Sequence, residues 1–242
     1  KTGDIEHWNC NSAVSPLSSN FVNSLYSKDG QIWVGTETGG ITKLVPRLLQ
    51  LEFYQNDPRN PGSIARNAVN AIFPAPDGTL WVGVVEGGLN ALSPHSKNFV
   101  HYTTANSGLP HNSVSTLAAD GHGNLWIGTW GGGVAVMPLG EPGKMQRLLV
   151  GDRYQGLLSF VGAFAYDAIN DGMWIGTNDG LFFYDIKKRQ LEEPFPHCLD
   201  IRGGIGSLVT RDGKLLMGCI QGMVEVDLRS RRGARRNFAV TY

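Results

Sequence analysis

The seven residues Gly123-Asn124-Leu125-Trp126-Ile127-Gly128-Thr129 belong to a pattern that returns along the whole chain. The same order of glycine, tryptophan, aliphatic residue and glycine surrounds Trp33, Trp81 and Trp174. A fifth, weaker copy has Leu216 in the place of the tryptophan. Successive copies lie about 45 residues apart, and a repeat of that length is typical of a β-propeller blade.

Each copy of the pattern lies between other features that also repeat. An alternating apolar stretch precedes it, and a turn such as Asp77-Gly78 or Asp212-Gly213 joins the two. Asp-Gly between apolar stretches favours a hairpin, because glycine accepts the positive φ of primed turns. A third apolar stretch follows, as in residues 180–184, and a more polar fourth one is clearest at residues 51–54 and 99–102. Each unit therefore reads as four short antiparallel strands.

We therefore expect an all-β β-propeller over residues 1–242, built from about five four-stranded antiparallel blades of about 45 residues each. The repeat units run over residues of about 4–50, 51–98, 99–146, 147–189 and 190–242. The candidate outer strands number six and are residues 5–8, 51–54, 99–102, 147–150, 190–193 and 236–242. Because an open end leaves strand edges unpaired, the surplus predicts a longer array or an open arc of blades.

Composition excludes several classes of protein. The 242 residues are 41% hydrophobic and 17% charged, with a net charge of zero, which is typical of a globular fold and not of a disordered chain. Zero net charge also lacks the basic footprint of a nucleic-acid binder. No apolar run is long enough to span a membrane. Cys10, Cys198 and Cys219 are too few for a disulfide framework, and we interpret them as small buried apolar residues.

Residues 99–134 carry several further motifs in a fixed order. Phe99-Val100-His101-Tyr102-Thr103-Thr104 is followed by Gly108-Leu109-Pro110, by Asn112-Ser113-Val114, by the tryptophan pattern and by Gly132-Gly133-Val134. This order resembles the two-component regulator propeller repeat. The match is close in the first three units, weaker in the fourth and poor in the fifth.

The resemblance implies the periplasmic sensor region of a hybrid two-component histidine kinase of Bacteroides-type bacteria. In that family two successive propellers and a small β-sandwich precede a membrane helix and a kinase, and the sensors are associated with glycan use. It thus implies a non-enzymatic domain that binds an oligosaccharide and transmits a signal, without a cofactor. Its expected partners are a neighbouring propeller or sandwich domain and a second copy in a homodimer, with membrane attachment and the kinase outside this chain.

Ligand-binding candidates lie in two sets of loops, where the copies differ while the frame persists. One set follows the tryptophan strand, and the other joins the outer strand to the next inner strand. In propellers these loops share one rim, where charged, amide and aromatic groups would suit a sugar or a peptide. The candidates are Trp130, Glu37, Glu86, Arg66, His111, Asn178, Asp179, Arg202 and Gln221. The repeated tryptophans are instead interpreted as packing residues, and the recurrent Asn20, Asn67 and Asn112 as turn caps.

Two other functions stay open at this point. One is a protein-interaction propeller without a small ligand, and the other is a lyase of the virginiamycin-lyase type, with His111 and Glu37 or Glu86 imitating a metal site. The sequence contains no HxH or HxxxH spacing and no GxSxG elbow, so no catalytic residue or metal ligand is predicted. One charge run, for which a solvated loop is favoured over a glycan or partner patch, consists of Arg229, Arg231, Arg232, Arg235 and Arg236.

Overall fold

The computed structural model describes residues 8–11, 17–28, 30–45, 50–66, 68–195, 204–219, 222–229 and 239–240. They form five four-stranded antiparallel sheets with almost no helix, and the predicted all-β propeller fold is confirmed. The chain divides into two compact units, unit 1 (Lys1–Tyr102) and unit 2 (Thr103–Tyr242).

Unit 1 contains two sheets, and each one takes its strands from consecutive parts of the chain. The first consists of β1 (Val22–Lys28), β2 (Gln31–Thr36), β3 (Ile41–Val45) and β4 (Gln50–Tyr54). The second consists of β5 (Val69–Pro74), β6 (Leu80–Val84), β7 (Gly88–Leu92) and β8 (Phe99–Tyr102). The tryptophan pattern forms the second strand of each sheet.

Unit 2 contains three sheets with the same strand order. The first consists of β9 (Val114–Ala119), β10 (Asn124–Thr129), β11 (Val134–Pro138) and β12 (Gln146–Arg147). The second consists of β13 (Val161–Asp167), β14 (Gly172–Thr177), β15 (Gly180–Asp185) and β16 (Gln190–Glu192). The third consists of β17 (Ile205–Arg211), β18 (Lys214–Cys219), β19 (Gly222–Asp227) and β20 (Ala239–Val240). A 3-10 turn at Pro142–Lys144 and one helical turn, α1 (Asp152–Gln155), lie before β13.

The outer strands follow the predictions in most places. β4, β8 and β16 lie where the sequence predicts them, and β20 falls inside residues 236–242. β12 ends at Arg147, so the predicted strand at residues 147–150 is wrong in its bounds; the chain leaves the sheet and turns into α1. Of the sixth candidate, residues 5–8, only Trp8 is described, and it lies outside any strand. The bounds of the repeat units stay a prediction.

Most of the repeated tryptophans are packing residues of the core, as predicted. Trp81, Trp126 and Trp174 are all buried. The indole Nε1 of Trp126 donates a hydrogen bond to Asp120 Oδ2 at 2.9 Å. In the next blade the indole Nε1 of Trp174 donates in the same way to Asp167 Oδ2. Trp33 differs, because it is only half-buried.

The second glycine of the pattern lies where two neighbouring sheets of one unit approach closely. A Cβ on Gly128 would lie 2.8 Å from Val161 Cγ1 of the next sheet, and one on Gly176 would lie 2.6 Å from Ile205 Cγ2. Real Cβ atoms do not tolerate such distances, so the absence of a side chain is what allows this packing.

The turns and the cysteines also bear on the predictions. Asp212 and Gly213 have φ values of 53° and 78°, as the Asp-Gly signal for a primed hairpin turn requires.

Cys219 is half-buried, but the interpretation of Cys10 as buried is wrong. Cys10 is exposed because it lies in a turn ahead of β1, where its backbone N–H donates to Asn20 Oδ1 at 2.8 Å. Cys198 lies outside the described residues.

Candidate functional site

A buried threonine at the end of the tryptophan strand shapes the loop that presents the candidate residues. The hydroxyl of Thr129 donates to the carbonyl of Gly133 at 2.7 Å, and those of Thr36 and Thr177 make the equivalent bonds at 3.0 and 3.2 Å. These bonds close a short turn over the following three or four residues. The side chain that follows each threonine is thereby directed away from the sheet core.

The residue after this threonine position occupies the same backbone position in four blades. Its N–H donates to the carbonyl of the residue just before the first strand of the same sheet. The bonds are Glu37 to Phe21 (3.0 Å), Val85 to Ala68 (3.0 Å), Trp130 to Ser113 (2.9 Å) and Asn178 to Phe160 (3.2 Å). Glu37, Trp130 and Asn178 are therefore equivalent, and the repeat presents a different side chain at one position.

Unit 2 brings several candidates together. Trp130 pairs with Phe160 in an isolated antiparallel bridge, and the N–H of Gly131 donates to Ser159 O at 2.7 Å. The N–H of Asn178 donates to the carbonyl of Phe160, so the loop that follows β14 is also held next to Phe160. We call His111, Trp130, Phe160 and Asn178 the rim cluster.

Two large aromatic side chains of the rim cluster are exposed side by side. Trp130 is 43% exposed and Phe160 is 47% exposed. Directly opposite residues of an antiparallel pair have Cβ atoms about 5 Å apart, so the two rings share one surface. Phe160 ends the loop of residues 154–160, which belongs to the second set of variable loops, but it is not among the ligand-binding candidates predicted from the sequence. The available signal was an aromatic residue just before an inner strand, which Phe160 shares with Phe21 of the first sheet, whereas the equivalent residues of the second and third sheets are Ala68 and Ser113.

His111 adds a polar group beside these rings. Its Nδ1 accepts the N–H of Ser113 at 3.1 Å, and its ring lies over Gly131, where an added Cβ would be 3.1 Å from Nε2. In the neutral imidazole an accepting Nδ1 leaves the proton on Nε2, which can then donate to a ligand. Asn178 and Asp179 are both exposed, and Asp179 is held by its N–H to Thr177 Oγ1 at 3.0 Å.

The candidates in unit 1 are arranged differently. Arg66 lines a cavity of about 340 Å³ with Thr38, Gln55 and Asn56. Glu37 and Glu86 are exposed and do not line this cavity, and Glu86 takes a positive φ of 55° in its turn. Arg202 and Gln221 lie outside the described residues.

Other residues singled out by the sequence have structural roles. Asn112 Oδ1 accepts the N–H of Thr104 at 2.9 Å, and Asn20 Oδ1 accepts the N–H of Cys10 in the same way. Both bonds confirm the interpretation of these two asparagines as turn caps. Asn67 lies outside the described residues. Of the arginine run only Arg229 is described, and its N–H donates to Asp227 Oδ1.

Neither a metal cluster nor a membrane helix is found in the described part of the chain. No three His, Cys, Asp or Glu side chains there are placed to hold a metal ion. His111 lies in unit 2, whereas Glu37 and Glu86 lie in unit 1. Among the same residues, no helix has the length and apolar character needed to cross a membrane.

Comparison with solved structures gives matches over nearly the whole chain. The extracellular domain of the hybrid two component system BT3049 from B. thetaiotaomicron is 22% identical with a TM-score of 0.75, and the match covers 95% of this chain and 30% of that one. For BT4673 of the same organism the values are 19% and 0.78, with 98% and 32% covered. The β-propeller domain of Cps50 (Swd1) from Myceliophteria thermophila is 11% identical with a TM-score of 0.63, covering 92% and 72%.

These likenesses show the fold, and the chain spans about a third of the length of the two extracellular domains. No curated protein matches the sequence. The family model described as two component regulator propeller matches residues 16–38 and 108–131, which include Thr36 and Thr129 and end within the turns that follow them. The chain is therefore a β-propeller that carries the two component regulator propeller repeat.

Proposed function

We propose that this chain is a non-enzymatic sensor propeller that binds an oligosaccharide through the rim cluster. The observation that carries the proposal is the pair of exposed rings, Trp130 and Phe160, beside polar groups of His111 and Asn178. Large exposed apolar side chains placed together mark binding surfaces more often than they mark ordinary surface.

The chemistry of the rim cluster suits a sugar. Each aromatic ring offers an apolar face to the C–H face of a pyranose. The Nε2–H of His111 and the amide of Asn178 offer hydrogen bonds to hydroxyl groups at the edge of the same ring. A few polar groups around an apolar surface are what orient a small ligand in a binding site.

The proposed setting is the periplasmic region of a hybrid two-component histidine kinase. Its support is the repeat and the fold shared with the extracellular domains from B. thetaiotaomicron. There the full-length protein would carry the kinase and pair as a homodimer, and this propeller would contact a neighbouring propeller or sandwich domain. A ligand transmits a signal when it binds one arrangement of domains more tightly than another.

Thermal unfolding in the presence of neutral, uronic and sulfated oligosaccharides tests the proposal. A sugar that binds the folded state raises the unfolding midpoint, and Trp130→Ala should abolish that rise. Phe53→Ala, which removes another exposed ring on β4 of unit 1, is the matched control and should retain it.

A cooperative transition that no sugar shifts would contradict the proposal and favour a protein-interaction propeller, in which the same rings contact another protein. An equal loss of the sugar response in both variants would also contradict binding at the rim cluster.

A further inference from the structure

A second cavity lies in unit 1, and none of the described ligand-binding candidates lines it. It has a volume of about 420 Å³ and is lined by Tyr26, Trp33 and Tyr54, by Lys28 and Lys43, and by several proline and serine residues around Leu92. We call it the Trp33 cavity. Its size falls within the range of about 300–1,000 Å³ for small-molecule sites.

The repeat explains why this cavity exists. In unit 2 the equivalent Trp126 is covered by Phe164 and Tyr184 of the next sheet, with ring centroids 6.2 and 5.5 Å away. Strand register places Ile72 and Leu92 of unit 1 at the positions of those two residues. The aliphatic side chains do not fill the volume of two aromatic rings, so Trp33 is left half-buried beside the cavity.

The polar lining of the cavity carries positive charge. Lys43 Nζ lies 5.1 Å from the centroid of the Trp33 ring and 3.4 Å from Glu52 Oε2. Lys28 is exposed and makes no ion pair within the described residues. Among the described residues that line the cavity, the charged side chains are Lys28 and Lys43, and Glu52, which pairs with Lys43, is not part of the lining.

Tyr54 contributes a fixed hydroxyl group. It donates to Glu52 Oε2 at 2.9 Å, and its ring stacks on Trp33 with centroids 6.2 Å apart. Burial, followed by the hydrogen bond and the charge of Glu52, raises the pKa of Tyr54 to about 12. The hydroxyl therefore stays protonated at neutral pH and keeps Glu52 directed toward Lys43.

We propose that the Trp33 cavity binds one acidic sugar residue, carrying a carboxylate or a sulfate group. The aromatic and proline side chains would contact the C–H faces of the sugar, and Lys28 and Lys43 would hold the anionic group. The cavity shares no lining residue with the rim cluster, because every lining residue belongs to unit 1.

NMR of the indole N–H groups tests this proposal on the chain as it stands. The Trp33 signal, one of six, is identified by its loss in Trp33→Phe. Titration with glucuronate or glucose 6-sulfate should move it saturably, whereas neutral glucose, acetate and inorganic sulfate should not. Two variants should weaken binding by at least about tenfold: Leu92→Tyr, which places in the cavity a ring equivalent to that of Tyr184 in unit 2, and the double change Lys28→Gln with Lys43→Gln.

Three controls make the result decisive. Lys144→Gln removes an exposed lysine of unit 2 and should leave the affinity unchanged. Trp130→Ala should also leave it unchanged, so failure at the rim cluster is distinguishable from failure at the cavity. Leu92→Tyr should unfold at a midpoint no lower than the parent chain, and should it unfold earlier, the double lysine variant alone decides the outcome.

Three results would overturn the proposal. One is a Trp33 signal that no acidic sugar moves. Another is an affinity that the double lysine variant leaves undiminished. The third is a response to acetate or sulfate as large as that to the acidic sugars, which would show a general anion contact.

Discussion

Asp120 shows how one buried carboxylate organises a blade. Its Oδ2 accepts the indole N–H of Trp126 and the side-chain amide of Asn124, and its Oδ1 accepts the backbone N–H groups of His122 and Asn124. Burial raises the pKa of Asp120, but these hydrogen bonds outweigh it and the pKa is lowered overall. Asp167 repeats the arrangement around Trp174, whereas the sheets of Trp33 and Trp81 have Lys28 and Ala75 at this place.

Replacing Asp120 by alanine should therefore destabilise the protein. Trp126 Nε1 and the turn N–H groups would lose their acceptor inside the blade, and each buried unsatisfied group costs about 1–3 kcal/mol. The free energy of unfolding, measured by urea denaturation, should fall by at least about 2 kcal/mol. Asp152→Ala, which removes an exposed carboxylate of the same unit, should change it by less than about 1 kcal/mol. Equal losses in the two variants would contradict the assigned role.

At the scale of elements, neighbouring sheets of a unit depend on the glycine that follows the tryptophan. In β10 a Cβ on Gly128 would lie 2.6 Å from Thr116 Cγ2 as well as close to Val161 of β13. Both neighbours are β-branched and buried or half-buried, so they cannot rotate away freely. The contact between β10 and the next sheet is thus set by one missing side chain.

Gly128→Ala should push the two sheets apart locally and lower stability. Overpacking of this kind costs about 1–3 kcal/mol, which the same urea denaturation can measure. The matched control is Gly206→Ala in β17, where an added Cβ meets no atom within 4 Å and the backbone is not in the positive-φ region. That variant should be neutral or slightly stabilising, by less than about 1 kcal/mol. A destabilisation as large in Gly206→Ala as in Gly128→Ala would show that glycine content, and not sheet contact, is responsible.

For the molecule as a whole, charge has a small and local effect on stability. The net charge is zero, and every ion pair among the described residues has at least one well-exposed partner. Such pairs contribute little on average. The ion pair between His122 Nε2 and Asp171 Oδ1, at 2.6 Å, is different because it joins the turns of two adjacent sheets and contains a histidine, whose charge changes near neutral pH.

This pair predicts the pH dependence of stability near neutrality. The hydrogen bond to Asp171, and then its charge, raise the pKa of His122 above 6.5, and the partner lowers the pKa of Asp171 below 3.8. A raised histidine pKa means that its stabilisation is complete below pH 6.5 and is lost as pH rises through the folded-state value. At the acid end it is lost as pH falls through the lowered pKa of Asp171.

The difference in unfolding midpoint between the parent chain and His122→Ala should accordingly be largest between these limits and vanish at alkaline pH. NMR titration of His122 should give a pKa above 6.5, and Asp171→Asn should bring it back toward 6.5. A pKa for His122 at or below 6.5 in the parent chain would contradict the prediction.

The repeat alone was enough to predict five four-stranded sheets, the hairpin turns and the packing role of the tryptophans. These features are local, because a strand alternation, an Asp-Gly turn and the spacing of one motif lie within a single unit of about 45 residues. The same comparison of copies also identified Trp130 and Asn178 as variable side chains at one backbone position, which the equivalent bonds to Ser113 and Phe160 confirm. The end of β12 was predicted too late, because leaving a sheet carries little local signal.

Only the tertiary structure could reveal the pairing of Trp130 with Phe160 and the presence of the Trp33 cavity. The first depends on a bridge between loops thirty residues apart in sequence. The second depends on the volume left where Leu92 of one sheet and Trp33 of another line the same cavity, because Ile72 and Leu92 take the places that Phe164 and Tyr184 have in unit 2. Whether side chains from different sheets fill the space between them is a property of close packing in three dimensions, and no pattern within a single strand encodes it.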